Sequence, residues 1–141
     1  MQITIERTKK GLPALWEYGG GKTNTGNAQI VCNADGTAKK PVYIRRSGTL
    51  ANSDHALFII SPGDLIIQAD HHRKDFTIRV FRIAGIRQDS DNGDIAILEQ
   101  INLYDMGEWD VEPPEYLLPA IEAAKEKATC YHCRNPHFIA E

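Results

Sequence analysis

Residues 55–86 read HALFIISPGDLIIQADHHRKDFTIRVFRIAGI, and this stretch decides the fold. Ala56–Ile60 is an apolar run, Ser61-Pro62-Gly63-Asp64 is a turn, and Leu65–Ala69 is a second apolar run. Pro62 presets φ at the second turn position and Gly63 tolerates positive φ at the third, the pattern of a type II turn joining two antiparallel strands. A polar break, Asp70–Asp75, leads into Phe76–Ile83, where Phe76, Ile78 and Val80 fall on one face and Thr77, Arg79 and Phe81 on the other. Three strands in succession predict a meander.

Outward from this frame the signals remain those of strands. Gln2–Glu6 alternates, with Ile3 and Ile5 in phase, and Leu12–Tyr18 reads as a second strand whose Pro13 confines it to an edge or a strand end. Gly19–Asn27 is a loop rich in Gly, Thr and Asn, and strands follow at Ala28–Asn33 and Pro41–Arg46. Past the frame, Asn92-Gly93 suits a tight hairpin turn, and Ile95–Tyr104 returns with Ile95, Ile97, Ile101 and Leu103 in one parity. Helical spacing comes late, at Leu117, Ile121, Ala124 and Ala128, with Pro119 in the first turn. The pattern predicts a mainly β fold, with α+β as the variant: an antiparallel sheet curled into a sandwich or partial barrel and one C-terminal helix packed on it. With 141 residues the chain is one domain's worth, divided as β-rich 1–105, acidic loop 106–114, and helix with Cys/His tail 115–141.

Composition narrows the class. Apolar residues at 42% and charged residues at 25% are those of a globular chain, and no apolar run reaches the roughly 20 residues of a membrane-spanning helix. The N-terminus lacks a signal peptide's layout, and three cysteines are too few for a disulfide framework, so a cytoplasmic protein is expected. A net charge of −3 hides an asymmetry: residues 1–87 carry about +6 and residues 88–141 about −9.

Four constellations carry chemistry. Gly20, Gly21, Lys22 and Thr23 resemble the end of a phosphate-binding loop, but Trp16 stands where the first glycine of that motif belongs and no helix signal follows. Successive glycine amides beside a lysine still suit a phosphate or carboxylate. Arg45, Arg79 and Phe81 add cations and an aromatic ring, with Arg79 and Phe81 on one strand face, which suits a phosphate and a stacked base. Cys130, Cys133 and His137 form half of a zinc-ligand pattern, with a fourth ligand to come from Cys32, His71, His72 or His132. His55, His71 and His72 with Asp54 or Asp70 are candidate acid/base or metal residues of a hydrolase or nuclease.

The expectation is a small binding protein for an anionic, nucleotide-like ligand, without catalysis. The acidic C-terminal third argues against extended duplex nucleic acid, since such binding needs a broad basic surface. The alternatives are the His/Asp or metal-dependent hydrolase, and an interaction module or homo-oligomer in which the basic and acidic halves meet.

Overall fold

The computed structural model describes residues 2–6, 13–17, 27–45, 55–89, 93–105 and 107–134. In chain order its elements are β1 Gln2–Glu6, β2 Leu15–Glu17, β3 Asn27–Cys32, β4 Tyr43–Arg45, β5 His55–Ile59, β6 Leu65–His72, β7 Asp75–Asp89, β8 Gly93–Asp105 and β9 Glu108–Trp109. A 3-10 turn at Glu115–Leu117 then leads into helix α1, Leu118–Arg134. All pairings are antiparallel. The larger sheet runs β1-β8-β7-β6-β3 with β9 on β8, and the smaller runs β2-β5-β4.

The continuous apolar run Leu65-Ile66-Ile67 has a direct cause: the large sheet is covered on both faces, so both parities of β6 are buried. Leu65, Ile67 and Ala69, with Ala28, Cys32, Ile78 and Val80, face α1, which brings Leu117, Ala120, Ile121, Ala124 and Ala128. Three alanines in that stripe let the helix axis approach the sheet closely. Ile66, Val31, Phe81, Ile83, Ala96 and Leu98 face the small sheet under Trp16, Phe58 and Ile60. Small sheet, large sheet and helix therefore form three layers. Each fully buried Ile or Leu in them stabilises the fold by about 1.5–3 kcal/mol relative to its exposed state.

The mainly β fold with one C-terminal helix is as expected, and Pro119 does sit in the first turn of that helix. Its path differs in three places. First, β5 and β6 do not pair: Ser61–Asp64 carries the chain from the small sheet to the large one. Asp64 fixes this turn, accepting from the Ser61 N–H at 2.8 Å and pairing with Lys39 at 3.1 Å. Gly63, at φ 95, donates to the Ile83 carbonyl at 2.8 Å, and the Ile83 N–H donates to the Asp64 carbonyl at 2.8 Å. The turn thus clamps β7, and β6 pairs with β7 and β3 instead.

Second, the polar stretch 70–75 is strand rather than loop. His71 and His72 lie in β6, and the turn is only Arg73-Lys74, with Arg73 at φ 56. Third, the uniform parity expected along Ile95–Tyr104 is broken by register shifts between Val80 and Phe81 and between Ile83 and Gly85. The shift at Val80/Phe81 leaves Ile101 packed toward the helix while Leu103, of the same parity, opposes Arg79 on the other face.

Candidate functional site

The strands of the small sheet are short, three residues in β2 and in β4, so it cannot cover the whole of the large sheet beneath it. Directly opposed residues of an antiparallel pair share a face, which lets the register map what is left over. Gln29 opposes Gln68 and Gln68 opposes Arg79. The next row is Asn27, Asp70, Thr77 and Asp105. Along this face the residues change from the buried Val31, Ile66 and Phe81 to Gln29, Gln68 and Arg79 within one step of the strand repeat. Trp16 marks the boundary, its ring buried in the core and its Nε1–H donating to Gln29 Oε1 at 3.0 Å.

Among the described side chains, Arg79 is the cation of this polar face. Its side chain is 38% exposed, and its ion pair with Asp70 Oδ2 spans 3.6 Å, beyond hydrogen-bond length. Gln68 Nε2 approaches the same oxygen at 3.5 Å. Much of the guanidinium fork is therefore not engaged by described residues. A partly exposed ion pair of this kind contributes about 0–1 kcal/mol, so a ligand oxyanion meeting the fork directly can displace it.

The glycine-rich loop carrying Gly20, Gly21, Lys22 and Thr23 lies outside the described residues, as do Asp54 and His137. Its flanking strands are described: β2 ends at Glu17, and β3 begins at Asn27, which opposes Asp70. These two strand ends border the polar face. Arg45 opposes His55 at the edge of the small sheet. Because β5 and β6 run in opposite senses from the Ser61–Asp64 turn, that pair stands at the same end of the sandwich as Asp70 and Arg79. The side chains of Arg45 and His55 are not among those described.

Other candidates are dispersed. Phe81 shares a face with Arg79, but its ring is 5% exposed in the core beneath Trp16 and offers no open face for a base. His71 and His72 point to opposite faces of the sheet, as strand neighbours must. His71 is buried on the helix side, stacked on Phe76 at 4.6 Å and 18°, while Lys125 Nζ lies 5.5 Å from the Phe76 centroid. His72 is exposed and shares the face of Asp70. Cys130 and Cys133 fall in the last turns of α1, with side chains outside those described, and Cys32 sits at the opposite end of the helix–sheet interface, near Leu117. Among the described residues no group of three or more His, Cys, Asp or Glu is placed to hold a metal ion.

Perturbed titrations lie away from the polar face. Burial, then the charges of Asp35 and Asp64, push the Cys32 thiol up to about 11. Burial and the neighbouring Asp75 carboxylate, which accepts the Tyr104 O–H at 3.3 Å, raise the phenol.

No family model, curated protein or solved structure matches this chain. Gln29 and Gln68 were not singled out in the sequence, although a readable signal exists: in Leu65–Asp70 the apolar run gives way to Gln68 and Asp70 two apart, placing two polar groups on one strand face.

Proposed function

We propose that this chain is a small binding protein that takes an anionic, nucleotide-like ligand, without turning it over, at the open end of the sandwich. Arg79 is the anion anchor, Gln29 and Gln68 offer amide contacts beside it, and the glycine amides and Lys22, outside the described residues, are further candidate phosphate contacts from their chemistry. The observation that carries this reading is the cross-strand row of Gln29, Gln68 and Arg79, with a guanidinium whose ion pair among the described residues spans 3.6 Å. Trp16, pinned through Gln29, is the aromatic group at the border of this face.

Titration calorimetry with inorganic phosphate and with mono-, di- and cyclic nucleotides tests the reading. A charge-assisted contact is worth about 1.5–3 kcal/mol, so Arg79→Ala should weaken binding by roughly 10- to 150-fold. Arg82→Ala is the control, because Arg82 lies on the other face of β7 and pairs with Glu99. Lys22→Ala should weaken phosphate-bearing ligands without lowering the melting temperature. Chromatography of the ligand after incubation with Mg²⁺, Mn²⁺ or Zn²⁺ should return it intact. Product formation abolished by His55→Ala or His72→Ala would replace binding by hydrolysis.

A further inference from the structure

The polar face holds an anion of its own. Asp70 Oδ2 is shared by two donors of that face, Arg79 Nη1 at 3.6 Å and Gln68 Nε2 at 3.5 Å. Both distances lie at or past the outer limit of a hydrogen bond, whereas a guanidinium closed on a carboxylate ordinarily stands at about 2.7–2.9 Å. The donors are therefore arranged around a carboxylate oxygen without being closed on it. Amide orientation points the same way. A carboxylate only accepts, so Gln68 turns its N–H groups toward Asp70. An indole N–H only donates, so Gln29 accepts from Trp16 through Oε1 at 3.0 Å and keeps its own N–H groups as donors.

The row Gln29, Gln68 and Arg79 thus offers donors, and the row beside it brings negative charge. Among the described side chains of these two rows the charged ones are Arg79, Asp70 and Asp105. Asp70 is the nearer carboxylate, opposing Thr77, which is two residues along β7 from Arg79. A ligand oxyanion that closes on Arg79 displaces Asp70 Oδ2 from the guanidinium and still stands beside that carboxylate. Two like unit charges about 5 Å apart weaken binding by a factor of roughly 4 to 16, for an effective dielectric of about 80 down to about 40. Above pH 7 a phosphomonoester carries close to two negative charges and a phosphodiester one, so the monoester meets this factor about twice over.

On the reading of Arg79 as the anion anchor, on which this rests, we propose that Asp70 is the specificity-determining residue of the site. It stands in for the ligand oxyanion between Arg79 and Gln68 in the free protein, and its charge selects a phosphodiester, of the kind in a cyclic nucleotide, over a phosphomonoester.

Titration calorimetry at pH 8 and low ionic strength tests this, with the 3′,5′-cyclic monophosphates and the 5′-monophosphates of adenosine, guanosine, cytidine and uridine on wild type, Asp70→Asn and Arg79→Ala. Wild type should bind a cyclic nucleotide more tightly than its monophosphate. Asparagine keeps the size of Asp70 and an oxygen for Gln68 while dropping the charge. Asp70→Asn should therefore tighten both ligands, and tighten the monophosphate by a further factor of roughly 4 to 16. A residue that only held the fold would move both ligands alike, so the ratio of the two affinities is the readout. Glu99→Gln, on the other face and paired with Arg82, should leave that ratio unchanged. An adenosine dinucleoside monophosphate bound as well as the cyclic nucleotide supports the proposal for strand phosphates too, and its rejection supports it for the ring diester alone. A wild type that prefers the monophosphate, or a ratio unmoved in Asp70→Asn, overturns the proposal, while loss of binding in Arg79→Ala keeps the anchor. Binding indifferent to Arg79→Ala, or no binding in wild type and Asp70→Asn alike, removes the anchor and the proposal with it.

Discussion

Replacing three glycines by alanine, one at a time, should separate backbone strain from helix docking. Gly85 has no positive φ and no atom within 4 Å of an added Cβ. Gly85→Ala therefore only reduces the freedom of the unfolded chain and should stabilise by about 0.4–1 kcal/mol. Gly63 sits at φ +95 with the nearest contact of a built Cβ at 3.9 Å, Ala34 Cβ. The left-handed region costs an L-residue about 1–2 kcal/mol, which the unfolded-state term partly offsets, leaving Gly63→Ala destabilised by about 0.5–1.5 kcal/mol. Gly36 carries the same strain at φ +88, and its Cβ would stand 2.9 Å from the Tyr116 carbonyl oxygen and 3.0 Å from Tyr116 Cδ2. Relieving that overlap must move the turn entering α1 away from β3, which adds about 1–3 kcal/mol and brings the total to about 1.5–4.5 kcal/mol. Urea denaturation followed by the fluorescence of buried Trp16 reads all three, with circular dichroism reporting the helix. Equal losses in Gly36→Ala and Gly63→Ala would refute the close approach of the 3-10 turn to the β3 edge.

The other expectations concern the turn, the thiol and the helix stripe. Asp64→Ala removes the acceptor of the Ser61 N–H and the partner of Lys39 and should cost about 2–3 kcal/mol in chemical denaturation, whereas a loss under about 0.5 kcal/mol would mean that the turn holds without its carboxylate. Cys32, buried with its thiol pushed up to about 11, should resist iodoacetamide at pH 8 in Cys130→Ser/Cys133→Ser protein until denaturant is added; mass spectrometry counts the adducts, and rapid labelling of folded protein would contradict the burial. Because the folded thiol titrates above the ordinary thiol value of 9.0, its contribution is complete below pH 9 and is lost as pH rises toward 11, so Cys32→Ala should flatten the alkaline fall in stability. Ala124→Leu overfills a fully buried position between α1 and β6 and should cost about 1–3 kcal/mol, read by thermal denaturation, with an unchanged midpoint excluding tight helix–sheet contact there.

Strand content, the late helix and the glycine turn at Gly63 were legible because each rests on local chemistry: alternation, 3.6-residue spacing, and a Pro-Gly pair. The partners of the strands were not. A turn signal such as Ser61–Asp64 looks the same whether it joins two strands of one sheet or passes from one sheet to another. What decides is the distant clamp on Ile83, which no local pattern reveals. The register shift in β7–β8 at Val80/Phe81 likewise changes the face of Leu103 relative to Ile101 without any mark in their own sequence. At the candidate site, Arg79 was legible from its strand parity. Phe81 shares that parity, yet the reach of the small sheet, which buries one and leaves the other half open, is a tertiary fact. Gln29 gains its place beside Arg79 only through two successive strand pairings.

The affinity of Arg79→Ala protein for phosphate-bearing ligands tests the binding reading most directly. Calorimetry of wild type, Arg79→Ala and Arg82→Ala against one nucleotide panel should give binding that falls by roughly 10- to 150-fold in Arg79→Ala and stays unchanged in Arg82→Ala. Equal affinities in all three proteins, or a wild type that binds neither nucleotides nor phosphate, would contradict it.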